Sequence, residues 1–325
     1  MKAIRHTQFG PPDLLEYTDI EKPAPKENQV LIKVHASSLN AGDYRILRGK
    51  PFPLRLMMGS LFKPKEPRFG SDVAGRVEAV GAGVQQFQPG DAVFGCATGA
   101  LAEYVLARAV YLAPKPAGCS FESAAAVPVI GLTAVQGLRD TARLQPGQHV
   151  LIQGASGGVG TAAIQVAKAC GAEVTAVCST RNLDMARSLG ADHVIDYKRE
   201  DFTRQGKRYD LIFAVNGYHP LSAYRRALNP GGMYVCAGGT LPQIFQSMLL
   251  GSWLSRKGDQ KFAFMGIAKV VQEDLVFVGQ LLESGKLTPV IDRILPLSQV
   301  PEGMRYLEEQ HAQGKVVITV TPAAP

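Results

Sequence analysis

Hydrophobic and polar positions follow two rhythms along this chain. In the first third they alternate in short runs bounded by Gly and Pro, the period-two signature of half-buried strands. Lys2 to Arg5 and Leu14 to Tyr17 predict an opening hairpin around Gly10-Pro11-Pro12. Gln29 to Ser37 reads QVLIKVHAS, alternating and rich in β-branched residues, and predicts a strand. Ser38 to Tyr44 follows, with a short helix running on to Arg48. Residues 50–69 are Pro-rich and basic and predict a long connection serving as a lip over a site. Strands are predicted at Gly75 to Val80, Ala92 to Gly95, Ala102 to Leu106 and Tyr111 to Ala113. Up to about residue 115 the pattern is that of a compact β domain.

Near Phe121 the spacing lengthens to that of helices, predicted at Phe121 to Val127 and Leu132 to Thr141 on either side of Pro128. Strand and helix then alternate. Val150 to Gln153 and Glu173 to Cys178 are apolar strands flanking an Ala-rich helix, Thr161 to Cys170. Further strands are predicted at His193 to Ile195, Asp210 to Ala214, Met233 to Ala237 and Phe262 to Met265. The helices are Asn182 to Leu189, Pro220 to Leu228 and Asp274 to Glu283. Such a series builds a mostly parallel sheet covered on both faces. Ile244 to Trp253 is apolar with a basic end, a segment for cleft or subunit packing before membrane contact. Pro301 to His311 predicts a helix, and Lys315 to Val320 a last strand that returns to the first domain.

The turn between the first two strands of the series carries the chemistry. Gly154-Ala155-Ser156-Gly157-Gly158-Val159-Gly160 places glycines where the backbone must turn tightly and approach a pyrophosphate. The helix after it aims its first N–H groups at that anion. After the second strand comes Cys178-Ser179-Thr180-Arg181-Asn182, where an NAD-binding unit commonly has an acidic residue. Ser179 and Arg181 suit a 2′-phosphate, so NADPH is expected over NADH. The alternative is that Ser179 caps the next helix and Arg181 is a solvated first-turn residue. Gly238 and Gly239 follow the fifth strand, where they permit nicotinamide approach or simply make a turn.

Composition narrows the classes. With 325 residues and 46% hydrophobic positions, there is material for one large or two moderate cores. The net charge of +7 comes from scattered residues and does not point to nucleic acid. The 5 cysteines form no C-x-x-C pair and suggest a reducing compartment. The N-terminal sequence lacks the apolar run of a signal peptide and no stretch spans a membrane, so a cytoplasmic location is expected. Ser156 does not lie in G-x-S-x-G, and no Gly-Lys-Ser/Thr ending supports phosphoryl transfer.

The order of elements, together with Asn40 to Tyr44, Phe69 to Gly83, Gly131-Leu132-Thr133-Ala134 and Gly154 to Gly160, resembles the zinc-independent quinone oxidoreductase branch of the medium-chain dehydrogenase/reductase superfamily. The chain also looks like quinone-reductase-type proteins of chloroplast envelopes and mitochondria. The resemblance implies an α/β protein with a GroES-like β-rich catalytic domain, residues 1–125 with 290–325, and a Rossmann NADPH-binding domain, residues 126–289. It implies a homodimer acting on a small quinone or enone, with no nucleic acid and no integral membrane segment, peripheral membrane contact remaining open. Thr133 matches a threonine near the diphosphate or nicotinamide ribose, and Tyr197 one near the adenosine phosphate. Ser156, Gly157, Gly158 and Val159 are expected to cradle the pyrophosphate. Asn40 is expected to orient ribose or substrate, Asp43 to fix the loop, and Tyr44 to donate a hydrogen bond. No metal is expected: the zinc branch has Cys where this chain has Asn40 and Gly-His-Glu where it has Gly70-Ser71-Asp72. His35, in an alternating strand, is read as structural. The different-class alternative is an NADPH-binding sensor or scaffold with little turnover.

Overall fold

The computed structural model describes residues 1–50, 52, 55, 62–309 and 312–320. Part of the predicted lip at 50–69 (51, 53, 54 and 56–61) and the end of the helix predicted to His311 lie outside these residues. The chain forms two compact units: Met1–Val129 with Val270–Gly285 and Pro289–Pro325, and Ile130–Lys269 with Lys286–Thr288. The boundary expected at 125/126 falls at 129/130, and of the expected second domain 126–289 the residues 270–285 lie in the first unit. The segment Val270–Gly285 groups with the first unit because the contacts of its helix, Gln272–Glu283, lie there.

In the first unit, β1 (Lys2–His6) and β2 (Leu15–Asp19) pair antiparallel across a tight helical turn at Pro12–Leu14. The long strand β3 (Gln29–Leu39) leads into α1 (Ala41–Arg48), which ends on Gly49 in the left-handed conformation. Then come β4 (Asp72–Val80), β5 (Ala92–Cys96), β6 (Tyr104–Arg108) and β7 (Leu112–Pro114). The helix α2 (Phe121–Ala126) is capped by Ser120, whose hydroxyl accepts from the Ser123 N–H at 3.1 Å. Pro128 does not merely separate two helices. It opens α3 (Pro128–Val135), a position where its missing N–H costs nothing. The next turn, Gln136–Thr141, is wound as a π-helix.

The second unit contains β8 (His149–Gln153), α4 (Gly158–Ala169), β9 (Glu173–Cys178), α5 (Leu183–Ser188), β10 (His193–Asp196), β11 (Tyr209–Ala214), α6 (Leu221–Ala227), β12 (Leu228–Cys236), α7 (Leu241–Arg256) and β13 (Lys261–Phe264). Its six strands run parallel in the order β10-β9-β8-β11-β12-β13. In chain order within the sheet this is 3-2-1-4-5-6, with the direction of winding reversing between β8 and β11. The core is a dense apolar cluster including Leu151, Ile212, Tyr224 and Tyr234, all fully buried.

The chain then returns to the first unit as α8 (Gln272–Glu283), β14 (Ile291–Pro296), α9 (Val300–Glu308) and β15 (Lys315–Thr319). On α8, Gln272 donates to the Leu112 carbonyl at 2.7 Å and Gly279 lies against the Phe94 ring. The returning strand β15 pairs parallel with β14 and antiparallel with β3, so the seven-stranded sheet reads β14-β15-β3-β4-β5-β7 with β6 also on β3. Two apolar clusters fill this unit, one around Val30, Ile32, Val73 and Leu112, the other around Leu39, Leu47, Met304 and Val316.

Candidate functional site

In the second unit, the expected cofactor residues other than Thr133 follow the carboxyl ends of the parallel strands. The turn after β8 is shaped by two glycines that the backbone cannot do without. Gly154 has φ +81°, and a Cβ on Gly160 would sit 2.2 Å from the Gly154 carbonyl oxygen. Gly157 differs. Its φ is −81°, and the nearest atom to an added Cβ would be 3.9 Å away. The protein itself therefore leaves space in front of Gly157, at the N-cap of the twelve-residue helix α4. Ser156, Gly157, Gly158 and Val159 are all partly exposed around that opening. An anion seated there faces the first-turn N–H groups of α4 and the positive end of the helix. The residues fit a dinucleotide pyrophosphate.

Ser179 ends β9 and begins the turn Thr180–Asn182. It is buried, and its Oγ accepts from the Asn182 side-chain amide at 2.9 Å rather than capping a backbone N–H. A hydroxyl that accepts in this way still has its own proton to donate. Arg181 is exposed in the same turn, and Tyr197, 60% exposed, follows β10 with its N–H on the Cys178 carbonyl. Gly238 and Gly239 follow β12. Gly239 has φ +106° and no room for a Cβ beside the Gln243 side chain, so the turn itself requires it. Thr133 is buried within α3, away from the strand ends in sequence.

The first unit holds a buried polar cluster at the end of β3. Asn40 is the residue before α1, and its N–H donates to the Asp43 carboxylate at 2.7 Å. The Asn40 side-chain amide donates to Asp72 at 2.8 Å and to Ser71 at 3.3 Å, while its oxygen accepts from the Lys315 ammonium at 2.5 Å. Lys315 also reaches Asp72 at 3.2 Å and the Leu39 carbonyl at 2.9 Å. Ser38 donates to Asp72, whose other oxygen accepts the Val129 N–H. The register explains the convergence: Ser38 faces Asp72, and Val316 faces Leu39. Burial raises the Asp43 carboxyl to about 7, with the nearby Asp72 charge pushing the same way and the Asn40 N–H opposing. Tyr44 stands outside these bonds. It packs against the apolar cluster, with the Arg45 guanidinium 5.9 Å from its ring centre.

Asp72 and Lys315 are the members that sequence reasoning left out of the site. A usable signal was present: Lys315 opens a strand that is otherwise apolar, so its charge needs a buried partner. The donor chemistry around Asn40 is that of amide, carboxylate, hydroxyl and ammonium. Cys96, opposite Asp72 in the ladder, is pushed well above the usual thiol range by burial, which favours the thiol over the metal-binding thiolate. His35 stacks on Phe121 with ring centres 4.2 Å apart, a packing role.

This architecture is that of a two-part dehydrogenase, and comparison with known proteins agrees. Residues 26–117 match the family model described as alcohol dehydrogenase GroES-like domain, and residues 189–318 the one described as zinc-binding dehydrogenase. The chain is 34% identical to a chloroplast envelope quinone oxidoreductase homolog of Arabidopsis thaliana, over 98% of each sequence. It is 33% identical to an NADPH-dependent alkenal/one oxidoreductase of the same plant, covering 99% of this chain and 80% of that protein. Among solved structures, the quinone oxidoreductase of Coxiella burnetii has a TM-score of 0.87 at 32% identity, covering 99% of both chains. The Escherichia coli quinone oxidoreductase complexed with NADPH has a TM-score of 0.82 at 26% identity, covering 98% of this chain and 100% of that one. The chain belongs to the medium-chain dehydrogenase/reductase superfamily, in its zinc-independent quinone-oxidoreductase-like branch. Its first unit is the GroES-like domain and its second the Rossmann domain.

The expected cytoplasmic location does not stand. Three relatives that match nearly the whole chain are chloroplast proteins, and another, from Bos taurus, is mitochondrial. Scattered free cysteines do not distinguish one reducing compartment from another. Among the described residues no helix is long and apolar enough to cross a membrane.

Proposed function

We propose that this protein transfers hydride from NADPH to a quinone or an α,β-unsaturated carbonyl compound, without zinc. The observation that carries the reading is the open space before Gly157, at a helix N-terminus on the carboxyl edge of a 3-2-1-4-5-6 sheet. When bound, the reduced nicotinamide supplies the hydride. Backbone N–H groups of Ser156, Gly157, Gly158 and Val159 hold the pyrophosphate. Ser179 would donate a hydrogen bond from its hydroxyl to the 2′-phosphate, and Arg181 would pair with it through its planar fork. Tyr197 covers the adenosine phosphate, Thr133 orients the diphosphate or ribose, and Gly238 with Gly239 gives the ring close access.

Asn40 acts as a positioning residue, a role supported by an amide already bonded to Asp72, Ser71 and Lys315. Asp43 fixes the same turn through the Asn40 N–H. Tyr44 or a water would supply the proton that balances the hydride. The chain is further proposed to act as a homodimer, supported by the exposed Phe245, Met248, Leu249 and Trp253 on α7. Light scattering across a dilution series tests that state.

The deciding experiment is NADPH oxidation with a panel of quinones and enones, with product identification. Turnover with either class supports the proposal. Tight NADPH binding with no productive acceptor would instead establish the sensor or scaffold reading.

A further inference from the structure

A second group of chemically capable side chains lies at the opposite end of the Rossmann sheet. His149, Glu173 and His193 are the first residues of β8, β9 and β10, three neighbouring strands. The ladder pairs His149 with Glu173 and His193 with Thr175, so the two-residue alternation puts all three side chains on one face. Glu173 Oε1 lies 2.7 Å from His193 Nε2 and 3.9 Å from His149 Nε2. One ligand atom from each residue falls within 4.8 Å of the others.

The three differ in how firmly they are held. His149 is the anchor, with a side chain only 14% exposed, its ring edge-on to Tyr209 at 4.7 Å and its Nε2 2.7 Å from Thr175 Oγ1. With its proton on Nδ1, that ring offers Nε2 as a lone pair, and the Thr175 hydroxyl need only rotate to release it. Glu173 and His193 are about half exposed and adjust by rotation alone. Bonds of about 2.0–2.2 Å to nitrogen and oxygen place tetrahedral ligands about 3.4 Å apart. That lies between the two separations already present. Lys207 is the opposing charge nearby, and Asp210, which accepts the His149 N–H at 2.8 Å, adds negative charge.

We propose that His149, Glu173 and His193 form a surface site for a divalent transition metal of the zinc type, completed by water. Two imidazoles and one carboxylate select Zn2+, Co2+ or Ni2+ over Mg2+ and Ca2+. The site is structural. The glycine turn and Ser179 follow the far ends of β8 and β9, about 15 Å or more along strands of five and six residues. Metal there ties the start of the edge strand β10 to β9 and β8, and leaves the zinc-independent hydride chemistry untouched.

The test uses the full chain, stripped of metal, titrated with ZnCl2 by calorimetry and with CoCl2 by visible absorption. One saturable site of micromolar affinity, a tetrahedral Co2+ spectrum and a raised melting temperature are expected. Glu173→Gln and His193→Asn are each expected to lose about tenfold or more in affinity, because each deletes one of three protein donors. His35→Asn, outside the cluster, is expected to bind as the wild type does. NADPH oxidation is expected to be the same with and without zinc. Absence of saturable binding at submillimolar Zn2+, or undiminished binding in both cluster variants, would overturn the proposal.

Discussion

At the scale of single residues, the buried cluster beside α1 sets the clearest measurements. Asp43 titrates near 7 when folded, above its ordinary value, so between about pH 4 and 7 the folded chain keeps a proton that the unfolded chain has released. Its stabilising contribution is therefore complete below about pH 4 and is lost as pH rises through about 7. The stability gap between wild type and Asp43→Asn, followed by denaturant unfolding, is expected to shift against the wild type by a few kcal/mol across that window, at about 1.4 kcal/mol per unit. Parallel curves would remove the assignment. Lys315→Met leaves Asp72 as an uncompensated buried charge and is expected to cost about 3–5 kcal/mol. Replacing Arg181 by Glu should weaken NADPH about tenfold or more while affecting NADH far less, since it removes one charge-assisted pairing and adds like charge. Equal losses for both cofactors in a binding titration would reject the 2′-phosphate role.

Elements show why some of this was legible and some was not. The turn from Gly154 to Gly160 could be read from its neighbours, because strand, glycines and helix are local in sequence and their periods are distinct. What each glycine does could not be read that way. Gly160 is required by a contact with Gly154, whereas Gly157 borders open space. Gly160→Ala is accordingly expected to destabilise the second unit severely, and Gly157→Ala to stay within about 1 kcal/mol while NADPH binding weakens. Thermal melts beside cofactor titrations separate the two effects, and similar destabilisation by both would sink the distinction. The segment Ile244 to Trp253 was visible only as apolar. It became part of α7, whose Thr240 cap and Pro242 start lie upstream of the apolar run.

At the scale of the whole molecule, β15 decides whether the first unit closes. It lies between β14 and β3, and Val316, Val317 and Ile318 are fully buried. A chain ending before Lys315 is expected to leave the GroES-like unit unfolded while the six-stranded sheet survives, as limited proteolysis would reveal. Protection of residues 1–129 in that truncation would contradict the role given to β15. The sequence by itself determined the alternation of elements, the βα series and the glycine turn, because each depends on periodicity or on a backbone need met within a few residues. It also pointed to a last strand returning to the first domain. Tertiary structure alone decided that Asp72 and Lys315, 243 positions apart, share a buried bond with Asn40. It also decided that α8 joins the first unit, and that two histidines and a glutamate share one sheet face. Register and sheet order create those neighbours, and neither is written in the spacing of any one segment.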